Sequence, residues 1–226
     1  MERKIILTKD GSHTVSVPEL NVTYHSVHGA LQESKHVFIE AGLKHFLLQN
    51  NSMPLYIFEM GFGTGLNALL TLAEAASRKT EVFYECVEMF PLDRTYIRRI
   101  NYTSIDTLSV FTKEFNLLHT CNWETVTNIH PCFTLLKRRD SLINLSTDKL
   151  FNLIYYDAFA PAAQPELWTQ EIFVKLFALL YPGGLLVTYC SKGDVRRALQ
   201  AAGFRVEKIP GPPGKREMIR AVKNGE

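Results

Sequence analysis

The stretch that most constrains this chain runs from Tyr56 to Leu72: Tyr-Ile-Phe-Glu-Met-Gly-Phe-Gly-Thr-Gly-Leu-Asn-Ala-Leu-Leu-Thr-Leu. A β-branched and aromatic run gives way to three alternating glycines and then to an apolar helical pattern. This predicts strand, tight turn, helix. In an open α/β sheet, ligands sit beyond the carboxyl ends of the strands, where the chain first crosses over. Gly61, Gly63 and Gly65 allow positive φ and the close approach of a ligand. A dinucleotide fingerprint needs G-x-G-x-x-G. Here the third glycine comes one residue early and Leu66 stands where it would have to be.

Beyond this unit, strands and helices alternate. Strands are expected at residues 55–59, 81–87, 132–136, 151–156 and 185–190, with helices at 66–77, 103–120, 165–180 and 193–202. Strict alternation implies a parallel sheet with right-handed crossovers. The last two strands, 204–209 and 217–222, are joined by about seven residues, too few for a crossover helix, so they must pair antiparallel. The expected fold is therefore α/β and Rossmann-like: a mostly parallel seven-stranded sheet closed by a C-terminal antiparallel hairpin. Residues 1–50 are expected to form a hairpin and helical extension packed on a core domain of residues 51–226. Its hairpin, residues 5–17, turns at Asp10-Gly11. Residues 30–49 read as one or two short helices interrupted at Ala41-Gly42, with residues 33–40 either a lid over the ligand or an amphipathic helix packed on the sheet edge.

Composition excludes several classes. A hydrophobic content of 46% with 21% charged residues is that of a folded globular domain. Net charge is only +2, so any nucleic-acid contact must be local. The four cysteines form no C-x-x-C pair, which argues for reduced thiols and against a zinc site. No apolar run is long enough to span a membrane, and a cytoplasmic location is the default expectation.

G-x-G-x-G with Glu59 two residues ahead is similar to the first motif of S-adenosylmethionine (AdoMet) methyltransferases, and the closing hairpin suits the same fold. Four acids then have candidate roles. Glu88 ends the second strand, where a carboxylate can accept both ribose hydroxyls. Glu85 is its rival, but residues three apart on a strand point to opposite faces. Asp140 follows the third strand; in this fold that acid contacts the adenine amino group, with helix capping as the alternative. Asp157 ends the fourth strand, where a carboxylate can hydrogen-bond an acceptor amine, orient its lone pair and take its proton. Phe159 and Trp168 flank it, either to stack on a base or simply as core. Among the basic clusters, Lys192, Lys215 and Arg216 lie on loops near the active edge, where phosphates would meet them.

Several strings together resemble one family: Glu33-Ser34-Lys35-His36-Val37-Phe38-Ile39 with Gly42-Leu43, Gly61 to Asn67, Asp157-Ala158-Phe159-Ala160-Pro161 through Trp168-Thr169, Pro182-Gly183-Gly184, and Lys215-Arg216-Glu217-Met218. It is the MnmC methyltransferase family of the tRNA 5-methylaminomethyl-2-thiouridine pathway, and the expected form is the stand-alone one that lacks the FAD-dependent oxidase half. The resemblance implies AdoMet as cofactor, held by Phe38, Glu59, Gly61, Gly63, Gly65, Asn67, Glu88, Asp140 and Asp157, with no metal. It implies methylation of the 5-aminomethyl nitrogen of the wobble uridine, Asp157 beside the substrate amine, and Phe159, Lys192, Lys215 and Arg216 toward the tRNA anticodon stem-loop. It also implies a separate enzyme that installs the aminomethyl group. The alternative is a methyl- or aminopropyltransferase acting on a small amine.

Overall fold

The computed structural model describes residues 2–50 and 54–225. The chain opens with β1 (Lys4–Leu7) and β2 (His13–Val17), antiparallel about Asp10-Gly11 as expected. A third short strand, β3 (Val22–Thr23), adds to β2. The helical segment that follows is not broken at Ala41-Gly42. It runs from α1 (Ala30–Ser34) through a π-helical stretch, Lys35–Lys44, into α2 (His45–Gln49). Gly42 serves packing rather than interruption. A Cβ there would stand 3.0 Å from Val187 Cγ2 and 3.3 Å from Tyr155 Cε1, so the glycine lets this helix press onto the sheet without pushing those side chains back.

The core continues as β4 (Leu55–Met60), α3 (Leu66–Arg78), β5 (Val82–Val87), α4 (Arg94–Ile97), α5 (Thr112–Thr120), β6 (Thr127–His130), β7 (Phe133–Arg138) and β8 (Phe151–Tyr156). It ends with α6 (Gln170–Ala178), β9 (Leu180–Thr188), α7 (Gly193–Ala201), β10 (Arg205–Pro210) and β11 (Glu217–Val222). Strand order is β10-β11-β9-β8-β4-β5-β7-β6. Strands β4, β5, β7, β8 and β9 are parallel, while β11 runs antiparallel to both β9 and β10.

The sheet has eight strands rather than seven. The additional one, β6, pairs antiparallel with β7 across a two-residue connection. Its four residues, Thr-Asn-Ile-His, bury only Ile129, so it carries almost no period-two signal. The central strands read as unbroken apolar runs because helices cover both faces; all six residues of β8 are buried. Phe38, Ile57, Leu69, Tyr84 and Tyr155 pack on one face, and Phe58, Phe151, Ile154, Trp168 and Phe173 on the other. The N-terminal extension contributes Val15, Ala30, Val37, Phe38 and Phe46 to the first of these layers. It therefore shares the core rather than resting on a finished domain.

Candidate active site

A cleft opens at the carboxyl ends of β4, β5, β7 and β8, floored by Met60, Gly61, Val87, Glu88, Asp140 and Asp157. The glycine turn lies at its centre. Gly61 has φ +89°, its N–H donates to Val87 O at 3.0 Å, and a Cβ on it would sit 2.9 Å from the Asp157 carbonyl oxygen. The glycine is thus required by the backbone of β8 passing alongside. Gly63 has φ +51°, and a Cβ there would meet the Tyr24 ring at 2.9 Å. At Gly65 it would meet His119, and Gly65 lies off the cleft wall. In the direction of a Cβ all three meet protein groups, and Gly61 and Gly63, but not Gly65, line the cleft.

Glu88 stands on the cleft wall, its Oε2 accepting from Gly63 N at 3.1 Å and its Oε1 from Phe90 N at 2.8 Å. Burial pushes its pKa up, against the two backbone hydrogen bonds. Glu85 points to the opposite side. It is fully buried, with Arg138 Nε at 3.0 Å and Lys149 Nζ at 3.4 Å. The alternation rule separates the two acids as expected. Glu88→Ala should therefore weaken cofactor binding about tenfold or more with little change in melting temperature. Glu85→Gln should do the reverse, costing about 1–3 kcal/mol of stability by leaving buried groups unpaired. Calorimetric titration and thermal melts on both variants check this pair.

Asp140 also lines the cleft, beside Ser141, Leu142 and Ile143, and its Oδ1 accepts from Ser141 N at 2.7 Å. Met89, Phe90 and Ile143 are exposed by 53%, 53% and 52% on this wall. Such apolar side chains, left half bare around an acid, suit a flat aromatic ring. The elongated cleft thus offers an apolar end with Asp140, a carboxylate at Glu88, and a polar end at Asn67 and Asp157. The residues fit an adenosine with an attached amino-acid chain.

The polar end is the most tightly built. Asn67 opens α3 and is buried; its amide donates one hydrogen to Glu59 Oε1 and the other to Asp157 Oδ2, each at 2.9 Å. Glu59, at the end of β4, is 1% exposed. Burial holds its pKa well above the carboxylate range, against the Asn67 hydrogen bond, and the Asp157 charge adds to the rise. It does not line the cleft; the Asn67 amide links it to Asp157. The Asp157 carboxyl is pushed up to about 7, first by burial and then by the Glu33 charge, while the Asn67 hydrogen bond and Lys215 pull it down.

Phe159 lines the cleft with its ring edge-on to Tyr24, centroids 5.2 Å apart. Trp168 is core: it is 6% exposed, packs on Tyr156, and its indole N–H holds the Phe159 carbonyl at 2.8 Å. Phe38 is displaced from its expected role. It is 1% exposed and packs on Tyr155 beneath the sheet, away from the cleft. Lys192 and Arg216 are exposed. Lys215 instead turns inward, its Nζ 2.8 Å from Glu33 Oε1.

The segment over the cleft is not 33–40, which lies against the sheet. It is the N-terminal region, contributing Val17, Leu20, Tyr24 and His25 to the wall. Arg3 fastens it to the far rim, donating to Phe90 O at 2.9 Å and Pro91 O at 3.3 Å. No periodicity in residues 18–29 signalled this. Among the described residues, no group of three or more His, Cys, Asp or Glu could hold a metal ion, and no helix is long and apolar enough to cross a membrane.

A glycine turn, an acid beside it on the cleft wall and a mostly parallel sheet with a terminal antiparallel hairpin are the architecture of an AdoMet-dependent methyltransferase. Residues 131–224 match the family of S-adenosyl-L-methionine-dependent methyltransferases Methyltransf_30. Over nearly its whole length, the chain is similar to proteins named tRNA 5-methylaminomethyl-2-thiouridine biosynthesis bifunctional protein MnmC. It is 33% identical to that of Ectopseudomonas mendocina over 215 residues, 87% of this chain and 31% of the relative. With that of Burkholderia pseudomallei it shares 34% over 236 residues, 95% of this chain and 34% of the relative. The chain thus spans about a third of the length of these relatives. Its fold matches the crystal structure of MNMC2 from Aquifex aeolicus with a TM-score of 0.81 and 22% identity, covering all of this chain and 71% of that one.

Proposed function

We propose that this methyltransferase converts 5-aminomethyl-(2-thio)uridine to 5-methylaminomethyl-(2-thio)uridine at the wobble position of tRNA. The observation that carries the reading is Asp157: a carboxyl at the end of β8, oriented by Asn67 and poised near neutrality. Bound AdoMet supplies an electrophilic methyl group on a sulfonium. What the protein must supply is a neutral, aligned nitrogen. An alkylammonium acceptor loses a proton to the Asp157 carboxylate, which leaves a lone pair free for attack. Methyl transfer to that nitrogen would leave the sulfonium's electron pair on sulfur, as S-adenosylhomocysteine, and the protein's part is to hold the amine deprotonated and in line. A base titrating near 7 takes the proton at neutral pH and releases it to solvent after turnover.

The name these relatives carry supports the acceptor, and the exposed Lys192 and Arg216 suit an anticodon stem-loop phosphate backbone. The product of the reaction requires an earlier enzyme that places an aminomethyl group on uridine C5. A cytoplasmic location follows from a tRNA substrate. The test is incubation with methyl-labelled AdoMet and tRNA bearing 5-aminomethyluridine. Label in 5-methylaminomethyluridine after nucleoside digestion is the expected result. Label on free polyamines, with tRNA inert, would instead favour a small-amine transferase.

A further inference from the structure

Just past the proposed base, one side chain resembles the acceptor. Lys215 carries a primary alkylammonium, the same group a 5-aminomethyl substituent presents at neutral pH. Its Nζ lies 2.8 Å from Glu33 Oε1 and 3.7 Å from the centroid of the Tyr189 ring. A carboxylate opposite an aromatic face is a seat for such a cation. Both walls are fixed independently of the lysine. The other oxygen of Glu33 accepts from Ser26 N at 2.7 Å, and the Tyr189 hydroxyl donates to Ala158 O at 2.9 Å, next to Asp157. The Glu33 carboxylate is 8% exposed, whereas Lys215 is 34% exposed on a flexible stem. The walls are thus rigid and the occupant is the movable part.

The seat adjoins the reacting end. Glu33 and Lys215 act on the Asp157 carboxyl with opposite signs, the first raising its pKa and the second lowering it. Glu33, Tyr189 and Lys215 do not line the cleft, but the Tyr189 hydroxyl bonds Ala158, which does. We propose that Glu33 and the Tyr189 ring form an entry site that selects the acceptor's ammonium before it moves on to Asp157, and that Lys215 occupies this seat until the acceptor displaces it. This rests on the amine-acceptor reading above and adds to it the residues that select a cationic amine. Lys215 is then a placeholder, not a standing phosphate contact. It keeps the buried Glu33 carboxylate paired whenever the acceptor is absent.

The free nucleoside tests this without any RNA phosphate. Binding of 5-aminomethyluridine is measured by calorimetry with S-adenosylhomocysteine present, alongside the uncharged 5-hydroxymethyluridine. An internal competitor reduces apparent affinity by the fraction of time it holds the site. Lys215→Met should therefore tighten 5-aminomethyluridine binding about fivefold or more and leave 5-hydroxymethyluridine unchanged. Glu33→Gln should weaken 5-aminomethyluridine about tenfold, with S-adenosylhomocysteine affinity unaltered. The proposal is overturned if Lys215→Met binds the aminomethyl nucleoside no more tightly, tightens both nucleosides alike, or binds neither. Should Glu33→Gln not fold, the Lys215→Met comparison alone decides. A wrong acceptor is told apart by the wild type, which would then fail to methylate tRNA bearing 5-aminomethyluridine; a wrong seat leaves that activity intact.

Discussion

Asp157→Asn is expected to lower kcat about 100- to 10,000-fold, the range for removal of a general base, while AdoMet affinity changes only a few-fold. The substitution keeps the shape of the side chain and, after an amide rotation, an oxygen for the Asn67 amide at the 2.9 Å contact. It removes only the capacity to take a proton. The pH profile gives a second, independent readout. Asp157 titrates at about 7 in the free enzyme, raised from an ordinary value of 3.8. Below that pH it is protonated and cannot serve as a base. So kcat/KM should climb about tenfold per pH unit on the acid side and level off above 7. A bound sulfonium favours the carboxylate, so the same limb in kcat should lie at lower pH. Both limbs should be absent from the asparagine variant. If turnover and AdoMet affinity fall together, Asp157 holds the cofactor and is not the base.

The same shift has a sign for stability. Between 3.8 and about 7 the folded protein retains a proton on Asp157 that the unfolded chain has released. Stability from this group is therefore greatest at low pH and declines as pH rises through that window. At neutral pH this buried carboxyl costs folding free energy. Such a cost belongs at a functional centre.

What could be read from the sequence, and what could not, follows from the range of the signals. The glycine spacing, the opposite facing of Glu85 and Glu88 and the antiparallel final hairpin are local rules of chain geometry, and they survive folding unchanged. The role of Phe38 failed because a resemblance can carry a residue over without its side-chain direction; here the π-helical turn of 35–44 aims it at Tyr155. Tyr24 and Arg3 were invisible because they reach the cleft only through tertiary contacts, with Phe159 across one end and the Phe90 carbonyl across the other. Even Gly63 was half legible. Its positive φ followed from the turn, but that Tyr24 would occupy the space beside it did not.

Asn67→Ala should produce the second large effect, and in a way that separates positioning from binding. One amide holds two carboxyls, Glu59 on one hydrogen and Asp157 on the other. Without it, both acids lose the hydrogen bond that lowers their pKa. The acid limb of kcat/KM should therefore move to the alkaline side of 7. Activity at pH 7 should fall about tenfold per unit of that displacement, and much of it should return near pH 9. Stability should drop by about 1–3 kcal/mol from the unsatisfied buried groups. Because more of the proton uptake now accompanies folding, the loss should be smaller at pH 5 than at pH 8. Asn67→Asp should be worse than alanine, since it places a third acid between two that already resist ionisation. Urea melts at the two pH values and a pH–rate profile measure all of this. An unmoved acid limb with AdoMet affinity down by tenfold or more would make Asn67 a cofactor ligand. A moved limb with affinity intact makes it the residue through which buried Glu59 and the end of β4 set the base at the end of β8.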